Sequence, residues 1–175
     1  VYLGIYATKT FLPLYALEIG ISILWVGLFF STQELAHLLA CPLGGRLSDR
    51  LGYLPVAVFG MLLAAFSLGL MSLAQTPLSL LLLALGFGIS QALIFPSTLA
   101  LFAKQMDTPH TGTGVGMIGA LKNCAKVSGP ILGVLLIHWQ NYTWMFWSMS
   151  ILLVLCSLGL LLNVLSEKSL NLQKG

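Results

Sequence analysis

Charged side chains interrupt several long apolar stretches of this sequence, which makes them the first candidates for chemistry. Five ionisable residues stand inside such stretches: Lys9, Glu34, His37, Lys122 and Lys126. His37 follows Glu34 by one helical turn, and Lys122 and Lys126 are four positions apart, so each pair would share one helix face. A charge at the centre of a bilayer costs at least about 2.5–3.5 kcal/mol and normally faces a cavity or a partner. The pattern indicates a polar pathway for a solute or a proton, and two uncharged groups extend it, Gln91 and Asn123.

Each of these residues also has a purely structural interpretation. Glu34 and His37 either form a local structural pair or carry a proton or substrate, and the sequence favours neither. Lys122 could extend its ammonium towards the membrane surface or form an ion pair with Glu34. Because the apolar stretches contain three lysines and a single glutamate, we also expect a cavity that favours anions.

The composition excludes most other classes of protein. The chain has 175 residues, of which 58% are hydrophobic and 7% charged, whereas soluble domains carry about 25% charged residues. A net charge of +3 without a basic cluster gives no indication of nucleic-acid binding. The three cysteines lie in apolar runs and form neither a disulfide framework nor a metal site. Without a phosphate-binding loop, dinucleotide fingerprint or metalloprotease motif, we expect neither an enzyme nor a cofactor.

The apolar stretches therefore predict an all-α membrane protein with six transmembrane helices. About 20 apolar residues cross the hydrocarbon core, and the predicted spans are 1–17, 22–43, 55–74, 77–103, 112–137 and 143–165. We expect residues 166–175 to form a polar tail. We also expect the beginning of the sequence to be a cut, because it opens inside an apolar run.

Positive charges in the connecting segments predict the orientation. One side of the predicted bundle holds all the basic connecting residues: Arg46, Arg50, Lys104, Lys168 and Lys174. By the positive-inside rule this side is cytoplasmic, and both chain ends lie there. The other side holds an aromatic belt: Trp25, Trp139, Tyr142 and Trp144. A multi-pass protein of a bacterial-type plasma membrane is the default expectation.

The most charged segment, 44–54, separates the second and third apolar stretches and predicts a structured loop. Its glycines permit tight turns. Part of it resembles the loop signature of the major facilitator superfamily, roughly G-x-L-[AS]-D-[RK]-x-G-[RK]-[RK]. The match is unbroken over Gly45-Arg46-Leu47-Ser48-Asp49-Arg50-Leu51-Gly52 and fails at Tyr53 and Leu54, where two basic residues are usual. The alternative is a generic cytoplasmic turn with positive charges.

The resemblance implies one six-helix half of that family's fold. In the family the first, second, fourth and fifth helices of a half face the central cavity or the other half, and the polar residues of this sequence concentrate in the same four helices. The resemblance also implies a gating loop that locks against the other half, and the departure at Tyr53 weakens this assignment. Its residues would be Gly45, Arg46, Asp49, Arg50 and Gly52.

The fifth stretch contains a second, shorter resemblance. Gly129-Pro130-Ile131-Leu132-Gly133 is similar to a Gly-Pro-x-x-Gly element in fifth helices of this family, often associated with antiporters. The ring of Pro130 would clash with the backbone carbonyl of Lys126, four residues earlier, and so bend the helix beside this lysine. The alternative is a glycine face that lets helices pack closely, with an incidental proline.

The family resemblance implies secondary active transport of a small organic solute, with proton-coupled efflux by alternating access. Its partners would be the solute, H⁺, the lipid bilayer and a second six-helix half, and Glu34 would carry the proton. Phe11-Leu12-Pro13-Leu14-Tyr15 and the glycines at 112–119 resemble the carboxy-terminal half of drug- and sugar-efflux members. The alternatives are an uncoupled facilitator and a non-transporting membrane partner or sensor.

Overall fold

The computed structural model describes residues 2–105, 111–139 and 141–172. Within this part of the chain the backbone forms six α-helices and no strand. The helices are α1 (Tyr2–Glu18), α2 (Ile23–Leu51), α3 (Tyr53–Met71), α4 (Pro77–Gln105), α5 (Thr111–Trp139) and α6 (Tyr142–Leu172). Helices suit so apolar a chain because they satisfy every backbone hydrogen bond within one segment.

Five of the described helices, α2 to α6, are long and apolar enough to cross a membrane. The remaining helix, α1, has 17 residues, somewhat fewer than the roughly 20 that span a hydrocarbon core. The predicted all-α membrane class is confirmed, whereas a sixth span remains a prediction.

The helices pack around α3 and α4. Helix α4 makes its largest contacts with α2 and α3, α3 also packs against α6, and α1 lies mainly against α5. Core residues that are at most 1% exposed come from five helices and include Leu12, Phe29, Leu68, Phe87 and Phe146. Among the five membrane-length helices, α5 is the most peripheral, because only 11% of its most apolar stretch is buried. This arrangement leaves a cleft between α1, α2, α4 and α5.

The predicted loop at 44–54 is wrong over most of its length, because α2 continues to Leu51. Gly44 serves close packing instead of a turn: a Cβ atom there would collide with the backbone carbonyl oxygen of Ala92 on α4. Ser48 strengthens the same contact, since its Oγ lies 2.7 Å from Oγ of Ser97 and donates to the Gly44 carbonyl. A glycine and a serine that suggested a turn therefore hold two helices together.

The turn between α2 and α3 is a single residue, Gly52. Its φ of 94° and ψ of 148° lie in a region that is essentially reserved for glycine. Its backbone N–H donates to the carbonyl oxygen of Ser48 at 2.9 Å, which closes the last turn of α2. Helix α3 then starts at Tyr53, two residues before the predicted start at Pro55.

The other helix boundaries lie close to the predicted ones, except at the end of α6. Helix α3 ends at Met71 instead of residue 74, and α6 continues to Leu172, so that residues 166–172 of the predicted tail are helical. Residues 106–110 of the predicted loop after α4 lie outside the described residues, as do the side chains of Lys104, Lys168 and Lys174. The predicted orientation, which depends on those lysines, stays a prediction.

Candidate functional site: a polar cleft between four helices

An ion pair joins α1 to α2 in the middle of both helices. The Lys9 ammonium nitrogen donates to Oε1 of Glu34 at 2.8 Å. The two side chains are 40% and 52% exposed, because the neighbouring residues Thr8 and Gln33 face the protein interior instead. Helical geometry thus turns Lys9 and Glu34 away from the core and towards each other.

His37 adds a third ionisable group one turn further along α2. Its Nδ1 lies 3.8 Å from Oε2 of Glu34, which is too long for a hydrogen bond but close enough for electrostatic interaction. The imidazole also packs edge-on against the Phe95 ring of α4, with centroids 5.4 Å apart. The structure therefore brings Lys9, Glu34 and His37 into one cluster in which the carboxylate lies between two basic groups.

This cluster lines a cleft of about 170 Å³. Four helices contribute to it, and they are the four in which the sequence places its intramembrane polar residues. The lining residues are Tyr2, Ile5, Tyr6 and Lys9 of α1, Glu34 and His37 of α2, Gln91 and Phe95 of α4, and Lys122 of α5.

Gln91 lines the cleft with an unused hydrogen-bond donor. Its side chain is 3% exposed, and its Nε2 has no hydrogen-bond partner among the residues that the structure describes. Gln33, one position before Glu34, is fully buried, and neither its Oε1 nor its Nε2 finds a partner within the same described part. A buried amide without a partner is costly, so Gln91 is suited to donate to a group that enters the cleft.

Lys122 enters the cleft over an aromatic surface. Its ammonium lies 5.9 Å from the centroid of the Tyr2 ring, within the range of a cation–π contact. Tyr2 in turn stacks on Phe95, with centroids 5.3 Å apart and planes inclined by 17°. The suggested Lys122–Glu34 ion pair is not formed, because Glu34 is paired with Lys9. Two ammonium groups line the cleft, and that of Lys122 is left facing the tyrosine ring.

Two predicted pathway residues, Asn123 and Lys126, are exposed on α5 and do not line the cleft. Lys122 and Lys126 share one helix face as predicted, but only the first reaches the space between α1, α2 and α4. The expectation of an anion cavity with three lysines is therefore reduced to Lys9, which is already neutralised by Glu34, and Lys122.

The glycines of the Gly-Pro-x-x-Gly element pack α5 against α1. A Cβ on Gly129 would come within 3.3 Å of the Ala7 backbone nitrogen, and one on Gly133 would collide with the Phe11 ring. Helix α5 runs without interruption through Pro130. These contacts favour the close-packing interpretation of the element, which positions Lys122 beside α1.

Sequence reasoning missed the aromatic side of the cleft. Tyr2, Tyr6 and Lys9 follow one another at helical spacing, as do Gln91 and Phe95, so each aromatic residue shares a face with a polar pathway residue. This helical spacing is the signal in the sequence that could have identified these aromatic residues as part of the cleft. Aromatic residues are common in apolar helices, however, and only the packing of α1 on α4 shows which of them line the cleft.

The described residues hold no group of three histidine, cysteine or carboxylate side chains that could bind a metal ion. Cys41, Cys124 and Cys156 are all free thiols. The cleft offers charged groups, a hydrogen-bond donor and aromatic surface.

A bundle of membrane-length apolar helices around a polar cleft defines a multi-pass membrane protein. A sequence profile of the Major Facilitator Superfamily matches residues 1–174. The chain belongs to this family of transporters.

Two of three similar curated relatives carry drug resistance in their names, and one of these is named an efflux pump. A multidrug resistance protein of Proteus mirabilis, MdtG, is 30% identical over 151 residues, which cover 83% of this chain and 37% of the relative. A multi-drug resistance efflux pump PmrA homolog of Lactococcus lactis is 32% identical over 152 residues, covering 85% and 37%. An uncharacterized MFS-type transporter of Escherichia coli, YhhS, is 33% identical over 147 residues, covering 79% and 36%. The chain therefore spans little more than a third of the length of these relatives.

Proposed function

We propose that this chain is a six-helix half, the carboxy-terminal one, of a proton-coupled transporter that exports a small organic solute across the cell membrane by alternating access. The family membership and the names of two relatives, a multidrug resistance protein and a multi-drug resistance efflux pump homolog, support export. The second half of the transporter would supply the opposite wall of the cleft. Both chain ends would lie in the cytoplasm, because the basic connecting residues indicate the cytoplasmic side and an even number of spans returns the chain to it.

The cluster of Lys9, Glu34 and His37 is the observation that carries the proposal. A carboxylate held 2.8 Å from an ammonium group has a charge that can be removed by one proton. Protonated Glu34 would lose its coulombic attraction to Lys9, so the tie between α1 and α2 would differ between the two protonation states. His37, whose Nδ1 lies 3.8 Å from Oε2 of Glu34, would add a second basic group that interacts electrostatically with this carboxylate.

Solute binding would use the groups that line the rest of the cleft. The Tyr2–Phe95 stack offers an aromatic surface, and Lys122 and Gln91 offer hydrogen-bond donors. Because Lys9 also lines this space, protonation of Glu34 would change the charge that the solute meets. Proton binding and solute binding would then be coupled through one shared cleft.

Transport by the full-length protein in proteoliposomes tests the proposal, with an imposed pH gradient and ethidium as the first solute of a drug panel. We expect Glu34→Gln to abolish uphill transport and to retain exchange of solute, because a neutral side chain cannot release a proton. Glu18→Gln is the matched control: Glu18 is exposed at the end of α1, away from the cleft, and its loss should leave uphill transport unchanged.

Other outcomes favour the alternatives. Uphill transport that persists in the Glu34→Gln variant would overturn the role of this carboxylate in coupling. Downhill transport without any uphill component in the wild type would favour an uncoupled facilitator. No transport of any solute by the intact wild-type protein would favour a membrane partner or sensor.

A further inference from the structure

A second recess lies between α2 and α4, away from the polar cleft. It has a volume of about 470 Å³ and is open along one side. Leu43 and Leu47 of α2 and Ile89 and Leu93 of α4 form apolar walls, and Arg46 and Arg50 line it towards the end of α2. We call it the α2–α4 groove.

The groove changes from apolar to positive along its length. Arg46 and Arg50 are one helical turn apart and share a face of α2, and both are exposed. The apolar residue Leu43 lies about one turn deeper than Arg46. Positive charge is therefore confined to one end of the groove, and the apolar walls continue towards the middle of α2.

The length of α2 places this change at the membrane surface. The helix has 29 residues and measures about 43 Å at 1.5 Å per residue, whereas the hydrocarbon core is roughly 30 Å thick. If the helix enters the core at Ile23, it leaves it close to Leu43, so Arg46 and Arg50 reach the depth of the lipid head groups. The wall residues Leu43, Ile89 and Leu93 then lie at the depth of the acyl chains, because Leu93 lies beside Gly44 of α2 and Ile89 is one turn deeper on α4.

The arginines are not neutralised by an ion pair within the described part of the chain. The ion pairs found there join Lys9 and His37 to Glu34. The nearest carboxylate along the helix, Asp49, accepts a hydrogen bond from the Tyr53 hydroxyl at 3.3 Å. Arginine matches phosphate well, because its planar guanidinium donates two parallel hydrogen bonds.

We propose that the α2–α4 groove binds an anionic phospholipid, with its phosphate on Arg46 and Arg50 and an acyl chain between α2 and α4. The order of charges and apolar walls in the groove matches the order of head group and chain in such a lipid. A protein segment would have to supply an acidic group at the same depth to satisfy the two arginines equally well. The proposal is independent of the transport activity.

Lipid retention by the full-length protein tests the site. The protein is reconstituted into nanodiscs of equal amounts of phosphatidylcholine and phosphatidylglycerol, extracted in mild detergent and analysed for bound lipid by mass spectrometry. We expect retained phosphatidylglycerol to exceed phosphatidylcholine by roughly 30-fold, the combined preference of two arginines near an anionic surface. Arg46→Gln with Arg50→Gln should remove the preference.

Two further variants separate the groove from general attraction of anionic lipid. Ile89→Trp fills the groove without changing the charge and should also reduce phosphatidylglycerol retention. Lys122→Gln with Lys126→Gln removes the same charge from α5, outside the groove, and should preserve the preference. Thermal unfolding in phosphatidylcholine nanodiscs verifies that each variant is folded, and Arg46→Lys with Arg50→Lys provides a charge-retaining substitute if the neutral variant is not.

Three results would overturn the proposal. The preference for phosphatidylglycerol could survive in the variant Arg46→Gln with Arg50→Gln, which would show that the arginines do not cause it. It could survive in Ile89→Trp, which would show surface attraction without a groove. The wild type could retain neither lipid, which would indicate that the other half of the protein or a second copy covers the groove.

Discussion

The Lys9 ammonium lies 2.8 Å from Oε1 of Glu34, across 25 positions of sequence, and joins α1 to α2. Helix α1 packs mainly against α5 and makes a small contact with α2. The ion pair is thus a specific polar link between two helices that otherwise touch little. Because each charge compensates the other, both residues can stand midway along apolar helices.

Substitution of either partner should destabilise the protein, and the double substitution should cost less stability than the sum of the two single effects. We expect a double-mutant cycle of Lys9→Met and Glu34→Gln in the full-length protein to give a coupling energy of about 0.6–1 kcal/mol. The estimate is modest because both side chains are partly exposed. Unfolding in mixed micelles measures it. A cycle of Lys9→Met with Glu18→Gln serves as the control and should be additive, and additivity in the first cycle would argue against the pair.

The turn at Gly52 offers a test of backbone geometry. Its φ of 94° and ψ of 148° are accessible to glycine and strained for alanine, so Gly52→Ala should destabilise the protein by about 1–3 kcal/mol. Gly45 lies in the same signature but in the last turns of α2, where a Cβ would meet nothing within 4 Å. Gly45→Ala should be neutral or slightly stabilising, since alanine favours helix.

Thermal unfolding of the two variants distinguishes these roles. A lower midpoint for Gly52→Ala alone agrees with the single-residue turn. Equal midpoints for the two variants would contradict it, because both glycines would then have similar conformations.

The helices themselves could be predicted from the sequence, but not how far α2 extends. Apolar stretches of membrane length predict helices because a membrane leaves few alternatives. At residues 44–51, however, glycines beside charged residues are equally typical of a turn and of a helix that packs closely. Only the position of Ala92 on α4 distinguishes them, because it shows that Gly44 is required by a neighbouring helix.

The candidate site could be predicted in part for a similar reason. The cost of intramembrane charge identified Lys9, Glu34 and Lys122, and the structure brings all three to one cleft. It could not exclude Lys126, because Lys122 and Lys126 share one helix face and the sequence does not show at which turn of α5 the cleft lies. The rotation and depth of a helix are set by its packing, here by Gly129 and Gly133 of α5 against α1.

Close packing of α2 and α4 predicts a large effect for a small substitution at Gly88. A Cβ there would collide with the backbone carbonyl oxygen of Gln33 and lie 2.8 Å from Cβ of Ala36. Neither neighbour is the flexible end of a side chain, so α4 would have to move away from α2. Overpacking of this kind costs about 1–3 kcal/mol, and Gly88→Ala should lower the thermal midpoint of the full-length protein.

The matched control is Gly159→Ala in α6, where a Cβ would meet nothing within 4 Å. Both substitutions add one methyl group and the same helix propensity, so they differ only in the space around the new atom. We expect Gly159→Ala to keep or raise the midpoint. A similar change in both variants would contradict a tight α2–α4 contact. Since Gln33 directly precedes Glu34, displacement of α4 at Gly88 should also shift the carboxylate relative to Lys9 and reduce transport more than the loss of stability alone.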